Sequence, residues 1–148
     1  MLHRYHDSIA EFDHILAITP QDTRAMWSRG FSYLLAGEFE AARQSCDTPS
    51  TDTDARVCKA ILFNKLNRLA EAQAEVAALK KTDGDSDAFQ YAEIYAQWGD
   101  IQQALERLET AYRLQDAGLR DLKADPFLDP LRNEPRFRAI ERKLNFPS

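Results

Sequence analysis

One pattern constrains this chain more than any other: six residues recur in step along it. Residues 27–46 carry Gly30, Tyr33, Gly37, Phe39, Ala42 and Cys46. Residues 59–76 carry Ala60, Phe63, Asn67, Leu69, Ala72 and Val76, and residues 91–108 carry Ala92, Tyr95, Gly99, Ile101, Ala104 and Leu108. The shift is 30 residues from Gly30 to Ala60 and 32 from Ala60 to Ala92, and the sets built on Gly37 and on Ala42 keep both intervals. Each position has a packing logic. A small residue midway along one helix admits its neighbour closely, and an alanine in the next helix receives an aromatic knob. Gly37, Asn67 and Gly99 accept the left-handed backbone that ends a helix. The pattern therefore predicts three antiparallel helical hairpins and an all-α fold.

Composition agrees with this and excludes several functions. In 148 residues, 44% hydrophobic and 29% charged content with only 5 glycines suits a soluble, helix-rich chain. The net charge of −5, with Lys and Arg dispersed among acids, supplies no basic stripe for phosphates, so no direct nucleic-acid ligand is expected. No window approaches an uninterrupted apolar membrane span, and the opening "MLHRYHDSIAEF" is too polar for a signal-peptide core. No membrane contact and a cytoplasmic location are expected, a periplasmic one if the chain is part of a longer exported protein. Cys46 and Cys58 cannot complete a zinc site alone and read as buried small hydrophobes, with a disulfide between neighbouring helices as the alternative under export.

The register resembles the tetratricopeptide repeat family, whose signature runs W-x2-L-G-x2-Y, then A-x3-F, then P. Gly30 with Tyr33 fits it best; Ala60 and Ala92 replace glycine, and Cys46, Val76 and Leu108 replace the second-helix aromatic. The resemblance implies a right-handed solenoid of helical hairpins. Its units are a half repeat over 1–20, repeats over 23–50, 53–82 and 85–114, and a capping tail with a final helix over 115–148. The stretches "DTPSTDTDA" and "KTDGDSD" read as loops. Residues 4–19 look like a repeat's second helix without its first, with Tyr5, Ile9, Phe12 and Leu16 at helical spacing. The uncovered face suggests either a fragment of a longer array or a homodimer through this helix.

In the tail, "LKADPFLDPLRNEPRF" places an acid before a proline three times. Helix is expected to continue from Tyr112 to Asp125, the residue before Pro126. Asp129 is expected to cap a turn begun by Pro130, and Asn133 or Glu134 to start the last helix with Pro135 in its first turn. This segment is also similar to one that closes tetratricopeptide regions in bacterial signalling proteins. That resemblance implies a regulatory or sensor segment of a larger signalling or transcription-regulator chain as an alternative to a free-standing module.

No catalytic constellation, phosphate-binding glycine loop or dinucleotide fingerprint occurs, so no enzyme, cofactor or metal is expected. His3, His6 and His14 near Asp7 and Asp13 read as a solvated N-terminus rather than ligands, and "DGDSD" as a solvated loop in which Asp85 or Asp87 caps a helix. The resemblance instead implies a concave groove that binds a protein or peptide partner. It places Trp27, Phe31, Leu34 and Leu35 there from the first hairpin, Val57, Ile61, Asn64 and Lys65 from the second, and Phe89, Glu93 and Gln97 from the third. The family's carboxylate clamp is absent, since Trp27, Phe31, Cys58, Ser86 and Gln90 stand in its places. An amphipathic helix or apolar extended segment is the expected occupant. The competing reading is that Trp27 and Phe31 are core.

Overall fold

The computed structural model describes residues Leu2–Asn145, with side chains from Arg4 onward. Among them are eight α-helices, three short 3-10 helices and no strand, so the fold is all-α. They form two compact units, Met1–Val76 and Ala77–Ser148.

The first unit contains α1 (Leu2–Ile18), α2 (Thr23–Leu35), α3 (Phe39–Cys46), α4 (Thr53–Lys65) and the first half of α5 (Leu69–Asp83). Helix α2 begins where Asp22 accepts a 2.9 Å hydrogen bond from the Ala25 amide, which satisfies a donor the helix itself cannot. It packs against α1, α3 and α4. Arg29 ties three of these elements together: it donates from Nη1 to Asp13 on α1 at 2.7 Å and from Nε to Ser45 on α3 at 2.9 Å. Across α4 and α5, Arg56 pairs with Glu75 at 3.2 Å.

The second unit contains the end of α5, a 3-10 helix Gly84–Asp87, α6 (Ala88–Trp98), α7 (Ile101–Arg113), 3-10 helices Ala117–Asp121 and Pro126–Leu131, and α8 (Pro135–Leu144). Helices α6 and α7 pack against each other, Pro126–Leu131 lies on both, and α8 lies on α7. Leu122, Leu128, Leu131 and Phe137 are fully buried, so the tail supplies much of this unit's core.

The predicted turns are three copies of one structure. Gly37, Asn67 and Gly99 have φ of 78°, 61° and 82°. In each, the left-handed residue's amide bonds back to the carbonyl three residues earlier, and the next amide bonds to one five residues earlier. Glu38 N donates to Tyr33 O at 2.9 Å, Arg68 N to Phe63 O at 2.7 Å and Asp100 N to Tyr95 O at 2.9 Å. Together these bonds satisfy the carbonyls that a helix end leaves open. The six register positions around the turns face inward: Gly30, Ala60, Ala92, Ala42, Ala72 and Ala104 are all buried.

Several boundaries differ from the expectation. Helix does not run to Asp125: α7 stops at Arg113 because Gln115 takes φ 56° and closes a fourth turn of the same kind, with Asp116 N donating to Ala111 O at 2.9 Å. Asp116 then caps the 3-10 helix through the Gly118 amide at 2.9 Å. "KTDGDSD" is not an open loop, since α5 continues to Asp83 and the 3-10 helix follows directly. Lys80 and Lys81 in the last turn of α5 complement its negative end. Asp85 pairs with Arg107 at 3.3 Å, and Asp87 stands at the α6 N-cap position without a side-chain capping bond. In the tail the capping acid is Asp125, which accepts from the Phe127 amide at 2.9 Å; Asp129 instead pairs with Arg132 at 2.7 Å. Glu134 precedes α8, with Pro135 in its first turn as expected.

The cysteines are joined. Cys46 at the end of α3 and Cys58 in α4 form a disulfide with Cα atoms 5.2 Å apart, and both are fully buried. The reading of two separate apolar fillers fails because α2 carries no side chain at Gly30, which leaves both sulfurs room to meet beneath it.

Candidate interaction face

In the first unit, α2 and α4 carry eight of the residues named for partner binding. Trp27 and Phe31, one turn apart on α2, meet edge to face with ring centroids 5.5 Å apart, and both are half-buried. Leu35 continues the same helix half-buried, while Leu34 is buried. On α4, Val57 and Ile61 are buried, and Asn64 and Lys65 at its end are half-buried. Lys65 Nζ stands 6.0 Å from the Phe39 ring centroid, and burial holds its ammonium below the usual lysine range. Of these eight, Trp27, Phe31 and Leu35 on α2 and Asn64 and Lys65 on α4 are therefore the ones partly open to solvent. Val57 and Ile61 belong to the interior.

One atom of this face stands out. The Trp27 indole Nε1 is buried and has no hydrogen-bond partner among the described residues. An unpaired buried N–H costs about 1–3 kcal/mol. The residue is otherwise well placed to donate, since Trp at a binding surface commonly joins an apolar body to a polar tip. Near the start of α4, burial pushes the Asp54 carboxyl upward, with Asp52 adding to the shift and Arg24 opposing it.

In the second unit the named residues are covered by the chain's own tail. Phe89 is buried, and Gly118 lies so close that a Cβ there would come within 2.7 Å of the Phe89 ring. Its amide donates to Asp116 at 3.2 Å. Glu93 is half-buried, and Gln97 donates to the Phe127 carbonyl at 2.8 Å. Phe89 and Gln97 thus serve contacts within the unit in this conformation.

Among the described residues no group of three or more His, Cys, Asp or Glu could hold a metal. His6 bonds Glu38 at 2.6 Å, His14 is exposed, and His3 lies outside the residues whose side chains are described. No described helix is long and apolar enough to cross a membrane.

Sequence reasoning assigned no role to Arg132, whose guanidinium reaches the Asp125 carbonyl at 2.6 Å, the Leu122 carbonyl at 3.3 Å and the Asp129 carboxylate. The available signal was its position three residues after Asp129 in a segment dense with prolines, where carbonyls need donors from outside a helix. Comparison with models of protein families, with curated proteins and with solved structures finds no match.

Proposed function

We propose that this protein is a tetratricopeptide-like interaction module, with its hairpins arranged as a right-handed solenoid, and that its first unit takes an apolar peptide segment at Trp27 and Phe31. The observation that carries this reading is the Trp27 indole: its N–H lacks an acceptor while its ring lies half-open beside Phe31. A turn of the indole toward an incoming chain would give that N–H a backbone carbonyl and bury both rings. The two gains act together, which is how aromatic anchors come to dominate interfaces. Leu35 would extend the apolar contact, and Asn64 and Lys65 would supply polar groups at its edge. The absence of a catalytic or metal-binding motif in the sequence is consistent with recruitment rather than chemistry.

The buried Cys46–Cys58 bond supports the exported setting over the cytoplasmic one, because cytosolic thiols are kept reduced.

The test uses peptides selected on the intact chain from a random display library. The Trp27→Ala, Phe31→Ala pair should bind them at least about tenfold more weakly, a loss of about 1.4 kcal/mol, with its helical circular dichroism unchanged. Equal binding by the variant defeats the reading. Loss of helical signal assigns both rings to the core, and Trp27→Phe, which keeps a ring and removes only the N–H, then decides the matter through peptide affinity.

A further inference from the structure

Basic residues are scattered among acids along this sequence, yet the fold gathers three of them at one place in the second unit. Lys123, between the 3-10 helices Ala117–Asp121 and Pro126–Leu131, lines an open cavity of about 520 Å³ together with Arg138 and Arg142, which stand one turn apart on α8. Glu141 and Asn145 complete the lining. All three cations are exposed.

Their charge is not balanced from within the unit. Elsewhere in it Arg107 stands against Asp85, Arg132 against Asp129 and Arg136 against Glu109. Arg138 instead donates to neutral oxygens, the Arg132 carbonyl and the Asn133 side chain, both at 3.4 Å. Neither Arg142 nor Glu141 has a side-chain hydrogen bond or ion pair among the described residues. Like charges four apart on a helix repel, and Lys123 brings a third to the same cavity. A cation in the last turn of α8 complements that helix's negative end, and Lys143 already stands there, 5.4 Å from the Tyr112 ring centroid. Arg138 and Lys123 lie outside that turn, so the helix end does not account for the cluster.

The counter-charge missing from the cavity is an anion. We propose that it binds a phosphate group, as the free ion or as a small-molecule ester. A phosphate monoester carries about −1.5 to −2 at neutral pH, which matches the excess of three cations over one acid better than a single carboxylate does. The planar guanidinium forks of Arg138 and Arg142 suit phosphate oxygens. The volume falls in the range of small-molecule sites, roughly 300–1,000 Å³, so an ester has room for its organic part.

The experiment is NMR titration of the intact chain, at fixed ionic strength, with glucose 6-phosphate, with inorganic phosphate and with acetate. Saturable shifts should appear at Lys123, Arg138, Arg142 and Asn145 with a phosphate probe, and binding should tighten as pH rises through about 6, where the dianion forms. Acetate should bind at least about tenfold more weakly. Both phosphate results support the site: tighter binding of glucose 6-phosphate assigns it to esters, and tighter binding of inorganic phosphate assigns it to the free ion. Arg142→Gln should weaken phosphate binding at least about tenfold with helical circular dichroism unchanged. Should that signal change, Arg138→Gln takes its place under the same criterion. Lys81→Gln, which removes the same charge from outside the cavity, should leave binding as it is. Shifts that never saturate, acetate binding as tightly as phosphate, or equal weakening by Lys81→Gln overturns the proposal.

Discussion

A Cβ placed on Gly30 would stand 2.6 Å from Cys58 Sγ and 2.8 Å from Cys46 Sγ. The disulfide therefore occupies the volume that any side chain on this face of α2 would need. Gly30→Ala brings two opposed effects. Alanine favours helix over glycine by about 1 kcal/mol. The clash is with a bonded, buried sulfur pair and with the Cys46 backbone at 3.3 Å, neither of which can swing aside, and overpacking of this kind costs about 1–3 kcal/mol. The clash should win, and Gly30→Ala should lower the denaturant midpoint. Reductant alone should lower wild-type stability by about 3 kcal/mol, the loop-closure value for a link of this length. It should also shrink the penalty of Gly30→Ala, because separated thiols can move apart. A Gly30→Ala protein as stable as wild type under oxidising conditions contradicts this packing.

The three turns predict opposite responses at equivalent positions. Gly99 has φ 82° and nothing within 4 Å of where a Cβ would stand, so Gly99→Ala adds only backbone strain, about 1–2 kcal/mol. Asn67 sits at φ 61°, where glycine is more at ease, so Asn67→Gly should be neutral or slightly stabilising. Thermal melts of the two variants should move in different directions or by clearly different amounts.

Two tail arginines should differ sharply. Arg136 is paired with Glu109 and Gln102 at an exposed site, where its guanidinium lowers the Glu109 carboxyl, and Arg136→Ala should cost at most about 1 kcal/mol. Arg132 satisfies two backbone carbonyls and a carboxylate at once, so Arg132→Ala should cost about 1–3 kcal/mol. Arg132→Lys should restore little of it, since one ammonium cannot span the same fork. Urea denaturation of the three variants checks the order.

Tyr91 gives an alkaline signature. Its hydroxyl donates to the Gly84 carbonyl at 2.7 Å, and burial, with Asp87 and Asp83 nearby, pushes its phenol up to about 12. A raised acid favours its neutral form in the folded state. Its contribution is complete below the ordinary tyrosine value of about 10 and is lost as pH rises toward 12. Stability of the wild type should fall in that window more steeply than that of Tyr91→Phe, as followed by circular dichroism; parallel curves contradict this role.

The helical class, the hairpin turns and their inward-facing alanines were legible because local chemistry sets them: a left-handed backbone selects Gly or Asn, and a close helix contact selects Gly or Ala. The turn at Gln115 was not, because glutamine carries no such preference and Asp116 supplies the stabilisation instead. The Cys46–Cys58 link was not, because spacing along the chain does not give the distance between α3 and α4. Of the candidate residues, Trp27 and Phe31 are half-buried on α2. The burial of Val57 and Ile61 and the covering of Phe89 depend on tertiary contacts that periodicity on one helix cannot express.

The link between Cys46 and Cys58 spans the segment joining α3 to α4, in which Thr48 is buried but Asp47, Pro49, Thr51 and Asp52 are exposed. A protease cutting once between these cysteines would release nothing: α1 to α3 would stay attached through sulfur to α4 and everything beyond it. The segment can thus be nicked without parting the chain, and the damage would come to light only on reduction, as two fragments where there had been one molecule.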